Sequence, residues 1–375
     1  TMADSIGGPL RLTLFGESHG AAVGAVLEGI APGTPIDEEE IAAAMEKRRA
    51  KGAISTARKE PDVVKFLSGV YEGHATGTAI TMVIENTNTK SGDYKKTGAL
   101  LRPGHADYTA KVRYGGFADE RGGGHFSGRL TAPLVAAGAI CASMLRKKGV
   151  FIATRLASCA GVPDAGSWDF SREGIAACVQ EVAEKAFPVI DYASGMAMEQ
   201  AILAAAGQGD SVGGILETVV CGLPAGLGDP FFGSVESTLA ALMFSVPAVK
   251  GIEFGAGFAF ARKKGSEAND PWQMENGVMT AKTNHNGGIN GGITNGMPLV
   301  MRTVVKPTPS IYREQDTVDW ATGENAKLII QGRHDPCIAH RAAAVQNAMT
   351  AFALADLAAR RFGETWQEAS IWNTV

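Results

Sequence analysis

The chain has 375 residues, 45% hydrophobic and 20% charged, with a formal net charge of −4 at pH 7. That length can bury a sizeable core, and the balance excludes intrinsic disorder and a globally basic nucleic-acid binder. Five scattered cysteines, odd in number and without C-x-x-C spacing, argue against a disulfide framework or a zinc site and fit a reducing cytoplasm.

Residues 10–15 and 21–29 alternate as strands, with the polar GESHG (16–20) as the tip of a hairpin. Asp37 is placed to cap a helix running to about residue 49, with Glu40 as its reciprocal partner and Ile36 and Ile41 at the staple positions. Residues 63–70 and 78–84 read as a second strand pair joined through YEGHATG. Residues 130–148 are apolar nearly all round, which predicts a helix buried between layers, stopped by a basic last turn and Gly149. Further helices are expected at 172–186, 195–206, 234–245 and 337–361, and strands at 213–221, 250–260 and 298–306. This mixed order predicts α+β layers rather than a doubly wound parallel sheet. GDSVGGILE and HNGGINGGI share a Gly-Gly-Ile element that hints at an internal duplication. No leader pattern, no apolar stretch of spanning length and no linker dividing the chain is read.

Polar, glycine and histidine residues gather in four places between these apolar elements. In GESHG, Ser18 stands beside His19, but neighbours on a strand face opposite ways and G-x-S-x-G is absent, so a nucleophilic triad is disfavoured. The basic run 46–60 is either a solvated face or an anion clamp, since guanidinium groups grip phosphate in pairs. Its lack of aromatic residues disfavours nucleic acid. Residues 102–129 bring Arg102, His105 and Asp107 together, and then Gly122–Gly124 before His125, Ser127 and Arg129, a glycine loop able to turn its N–H groups on an anion. GGGHFSG also contains the shadow of a dinucleotide fingerprint without the preceding strand, which is the basis of a competing reading as a nicotinamide- or flavin-linked oxidoreductase. In QGRHDPC (331–337), Asp335 and Pro336 suit a helix start, while Arg333, His334 and Asp335 supply a cation, a base and a carboxylate. None of the seven histidines stands in a compact metal-ligand spacing.

Taken in order, GESHG (16–20), RPGHADYT (102–109), GGGxxSxR (122–129), AVKGIEFG (248–255), NHxGGIxGGI (284–293), KPTPS (306–310) and GRHDPC (332–337) closely resemble the chorismate synthase family, over essentially the whole chain. The resemblance implies a single-domain layered sandwich of antiparallel sheets around long central helices, with an internal pseudo-twofold repeat, assembling as a homotetramer. It implies anti-1,4-elimination of phosphate and a C6 hydrogen from 5-enolpyruvylshikimate-3-phosphate, with reduced FMN and no net redox change. The C6 proton is barely acidic, so a concerted acid and base route is disfavoured and the cofactor is needed. NADPH as reductant and an external flavin reductase are both compatible with the sequence.

Carried over by position, His19 resembles the imidazolium that protonates the leaving phosphate, with Ser18 bonded nearby. His105 resembles the histidine that places positive charge beside the flavin, and Asp335 the carboxylate that relays a proton; Ser127 is a further candidate catalytic residue. Arg48, Arg49, Arg102 and Arg333 match arginines gripping the substrate. The matching cofactor positions are His125, Phe126, Ser127, Pro247, Ala248, Gly291, Lys306, Pro307, Thr308, Pro309, Ser310 and Arg333. The chain departs from the common pattern in two places, at three of these residues: His125-Phe126 replaces arginine and serine, and Pro247 replaces an asparagine. In TNHNGGINGGITNG (283–296), glycines remove side chains where a flat ring needs close backbone approach.

Overall fold

Alternating apolar residues near the N-terminus build the first layer of the computed structural model, which describes residues 4–50, 52–55, 61–87, 99–332, 334–368 and 372. Its strands are β1 (Ser5–Gly7), β2 (Arg11–Gly16), β3 (Ala22–Glu28), β4 (Lys65–Ser68) and β5 (Ile80–Glu85), all antiparallel in the order β1-β2-β3-β5-β4. Leu12, Val23, Ala25, Leu27, Ile80, Met82 and Ile84 are buried, as the period of two requires. A second antiparallel sheet holds β6 (Phe151–Cys159), β7 (Val162–Pro163), β8 (Gly214–Cys221), β9 (Val249–Phe254) and β10 (Leu299–Val305), in the order β9-β10-β8-β6-β7.

The helices are α1 (Glu38–Arg48), α2 (Asp107–Tyr114), α3 (Thr131–Arg146), α4 (Ile175–Glu184), α5 (Tyr192–Gly207), α6 (Val235–Ser245), α7 (Gly265–Ala268) and α8 (Ala339–Phe362). Between the sheets, α3 packs along α8; α3 faces the first sheet and α8 the second. The result is the expected α+β sandwich around two long helices. One buried apolar cluster runs from Leu10 through both helices to Trp372. Buried polar side chains beside it find partners: Gln346 accepts from Thr303 Oγ1 at 2.5 Å and donates to Thr218 Oγ1 at 2.8 Å. Asp356 of α8 accepts the backbone N–H groups of Gly8 and Leu10 at 3.1 Å and pairs with Arg360 at 2.7 Å.

Several sequence expectations need adjustment. Asp37 caps α1 by accepting from Glu39 N and Glu40 N, but Glu40 pairs with Arg146, so the reciprocal half of the capping box is not made. The strand expected over 250–260 ends at Phe254, because Gly255 turns at φ +54° and Gly257–Arg262 forms a 3-10 turn. Strand β6 and helix α2 were not anticipated. The first Gly-Gly-Ile string leads into β8 of the second sheet, and the second forms a separate two-stranded hairpin, Ile289–Asn290 with Ile293–Thr294. Among the described residues, one helical stretch, Gly128–Arg146, is long and apolar enough to cross a membrane, yet 89% of its window is buried inside the protein.

Candidate active site

The pairing of Gly16 with Val23 forces the chain to reverse between β2 and β3, and that reversal carries Ser18 and His19. Ser18 is fully buried and His19 is 8% exposed. The tip docks on the glycine loop: Ser18 N donates to Gly124 O at 3.1 Å, and Ser18 Oγ donates to Arg121 O at 3.2 Å. A hydroxyl has one proton, already given to a carbonyl, so the 3.2 Å contact between Ser18 Oγ and His19 Nδ1 is donated by Nδ1–H. The expectation that Ser18 and His19 point apart fails because they lie in a turn, not a strand. At Gly122, with φ +62°, a Cβ would stand 2.0 Å from His19 Cε1, so the imidazole lies directly against bare backbone.

The rest of this loop turns elsewhere. His125 Nδ1 is 2.9 Å from Gly16 O and its Nε2 3.1 Å from Asp4 Oδ1, which ties the loop to the first sheet. Phe126 is half exposed against Tyr114, and Ser127 Oγ caps the turn Gly128–Leu130 by accepting from Arg129 N at 3.2 Å.

Behind the tip lies a buried ion triad. Asp62 receives Arg48 Nη2 at 2.7 Å on one oxygen and Arg129 Nη1 on the other. Burial alone would raise the pKa of Asp62, but Arg48 and Arg129 outweigh it and hold the carboxyl below its ordinary range. Arg48 also donates to Thr131 Oγ1 at 3.2 Å. Arg49, on the outside, pairs with Glu46 at 2.6 Å and donates to Pro61 O. Arg341 of α8 joins this triad to Asp335, with Nε on Arg48 O at 2.9 Å and Nη1 on Asp335 Oδ2 at 2.7 Å.

A second cluster is assembled from RPGHAD, KPTPS and the strand ends between them. His105 Nε2 is 2.7 Å from Ser310 Oγ across 205 residues of sequence. Lys306 Nζ donates to Gly104 O at 2.7 Å, and its backbone N–H donates to Ala248 O at 2.9 Å. Ala248 follows the exposed Pro247 in the left-handed region, at φ +73°. Gly104, at φ +73°, brings the RPGHAD turn against Pro309. Arg102 grips Asp107, the first residue of α2, with Nε at 2.8 Å and Nη2 at 2.7 Å. His334 packs on Tyr312 with ring centroids 4.8 Å apart.

Burial first, and then the cations Arg102 and Lys306 against the opposing pull of Asp107, push the His105 pKa down to about 4. That shift favours the neutral imidazole in this structure, with the cations Arg102 and Lys306 beside it. Arg333 lies outside the described residues.

Asp62, Asn86, Arg129 and Arg341 are the structural partners that sequence reasoning missed or left without a role. Arg129 stood in the GGGxxSxR string, but no local spacing connects Asp62, Asn86 or Arg341 to it. The oxidoreductase reading loses its basis: GGGHFSG forms a 3-10 turn, and the two large sheets are antiparallel, with no strand-to-helix crossover at that loop. Among the described residues no group of three or more His, Cys, Asp or Glu side chains is arranged to hold a metal ion.

The chorismate synthase family model matches residues 10–359. A chorismate synthase from Chitinophaga pinensis is 48% identical over 353 residues, covering 94% of this chain and 96% of its own length. One from Thermococcus gammatolerans is 43% identical over 363 residues, covering 96% and 98% respectively. A crystal structure of a chorismate synthase superposes with a TM-score of 0.75 at 27% identity, covering 96% of this chain and 94% of its own. With the fold, the motif order and near-complete mutual coverage in agreement, the chain belongs to the chorismate synthase family.

Proposed function

We propose that this chain forms chorismate from 5-enolpyruvylshikimate-3-phosphate, by elimination of phosphate and a C6 hydrogen, with reduced FMN as cofactor. The match to the family over residues 10–359 carries the reaction. His19 donates a proton to the departing phosphate. Because Ser18 holds Nδ1–H, the proton that moves is the one on Nε2 of the imidazolium. Arg102 and Lys306 supply the positive field for the anionic ligands, and Asp335, oriented by Arg341, accepts a proton at its carboxylate. Arg48 is committed to Asp62 and Thr131, which supports a framework role for it behind the substrate.

The residues present fit an anionic, flat cofactor. Thr308 Oγ1 in KPTPS is buried without a hydrogen-bond partner, a donor in a segment that already carries Lys306 and Ser310. Gly291, at φ +60°, opens outward: a Cβ there meets nothing within 4 Å, whereas at its neighbour Gly292 a Cβ would stand 2.7 Å from Ser234 Cβ. When bound, reduced FMN supplies the transient reducing power that the elimination borrows and returns. Ser127, Ala248, Gly291, Lys306–Ser310 and Arg333 are the residues proposed to hold it.

Gly291→Val is expected to weaken FMN binding at least about tenfold in a fluorescence titration, since the side chain would stand in the open space proposed for the cofactor, on a backbone at φ +60° that favours glycine. Unchanged affinity would remove Gly291 from the cofactor wall.

Under anaerobic conditions, protein with dithionite-reduced FMN should release phosphate and form chorismate; no product with competent flavin would overturn the proposal. An aerobic assay with FMN and NADPH, without dithionite or added reductase, assigns the source of reduced cofactor: silence there points to an external flavin reductase. Turnover there would assign the NADPH step to this chain. A cytoplasmic homotetramer is proposed as the working form. The nearly bare Phe231 and Phe232, 85% and 96% exposed, support burial between subunits, and light scattering reads the mass.

A further inference from the structure

Asn86 follows β5 directly, belongs to none of the motifs singled out above, and sits beside the His19 turn. Its backbone N–H donates to Ala21 O at 3.1 Å. Its side-chain Nδ2 donates to Glu17 O at 2.9 Å and to Gly20 O at 3.0 Å, and its Oδ1 accepts from Arg129 Nε at 3.0 Å. Carbonyls only accept and a guanidinium only donates, so one orientation of the amide satisfies all three contacts.

Glu17 O already takes the Gly20 N–H at 3.1 Å, so the amide closes the same turn from outside, with only Ser18 and His19 between the two carbonyls. The clamp has a rigid base. Arg129 is 5% exposed, bonded to Glu85 O at 3.2 Å and to Asp62, which Arg48 holds from the other side.

We infer that Asn86 is the positioning residue for His19: its two amide protons fix the carbonyls flanking the catalytic pair, and Arg129 fixes the amide. This rests on His19 as the proton donor. The contribution is geometric, since a misplacement of about 1 Å at a reacting group can cost on the order of 100-fold in rate.

Asn86→Asp tests it most sharply. It keeps the shape and the bond from Arg129, but replaces the Nδ2 amide donor with a carboxylate oxygen that only accepts and faces two carbonyl oxygens. In the anaerobic phosphate-release assay kcat should fall about 10- to 100-fold while KM stays within about threefold. Asn86→Ser, uncharged and too short to reach either carbonyl, should show the same split and serves if the aspartate variant does not fold. The control is Thr154→Val, which removes a hydroxyl bonded to Thr218 at 2.6 Å and Asn347 at 2.7 Å in the second layer. It should lower the melting temperature and leave kcat unchanged. A parental kcat in the folded Asn86 variants, or a fall no greater than that of Thr154→Val at equal loss of melting temperature, would overturn the inference. His19→Ala in the same assay separates the two failures. If it runs at the parental rate, the role of His19 is wrong; if it is slow while the Asn86 variants are not, the clamp is wrong.

Discussion

His19→Ala is expected to lower kcat by about 10²- to 10⁴-fold, the range for loss of a positioned general acid, with KM for the substrate changed far less. The imidazole presses on Gly122 and takes its orientation from Ser18, so the ring is a preformed donor. Truncation leaves a small hollow at a docked turn, whose carbonyls stay bonded to Asn86 and whose Ser18 N–H stays bonded to Gly124, so the variant should fold. Single-turnover phosphate release with reduced FMN reads the result. Supplying a phosphate whose departure needs no proton should recover part of the loss. A folded variant with the parental rate would show that the leaving group takes its proton from elsewhere.

The second large effect concerns stability. Asp62→Asn should destabilise the protein by about 3–5 kcal/mol, the cost of removing one partner from a buried charge network. Arg48 and Arg129, both 5% exposed, would be left facing a neutral amide. Asparagine tolerates the left-handed backbone at this position, φ +46°, so the change isolates the charge from the backbone. The pH dependence has a definite sign. Because the carboxyl pKa is lowered on folding, the triad contributes fully above the ordinary carboxylate range and its contribution is lost as pH falls through the folded pKa. Parent and variant should therefore converge in stability on acidification. Urea unfolding at neutral and acid pH measures both points, and a neutral-pH difference under about 0.5 kcal/mol, typical of a surface change, would refute the triad as an anchor.

Helix α3 was legible because nothing polar interrupts its apolar surface, and the β2–β3 hairpin because its period of two is clean. Strand β6, FIATRLASC, escaped because Thr154 and Arg155 break its alternation; in the fold Arg155 is satisfied by Glu217 and Asp164 on neighbouring elements. Helix α2 escaped because Asp107 reads locally as a site carboxylate, whereas it also opens the helix and clamps Arg102.

At the site, residues inside motifs were legible and their supports were not. His105 is named by its neighbours in sequence, but its bond to Ser310 spans 205 residues. Neither the lowered pKa of His105 nor the triad around Asp62 has a local pattern, because both are products of burial and of charges brought together by folding. The ordered motifs supplied the family, and the contacts among them support the roles proposed for its residues.

The carboxylate of Asp356 has a consequence for how the chain is made. It terminates the backbone donors of Gly8 and Leu10, 348 and 346 residues away in sequence. On the ribosome, the first strand emerges long before the helix that completes it. The donors of Gly8 and Leu10, between β1 and β2, must therefore wait open until α8 has been released, although the strands around them can already pair with one another.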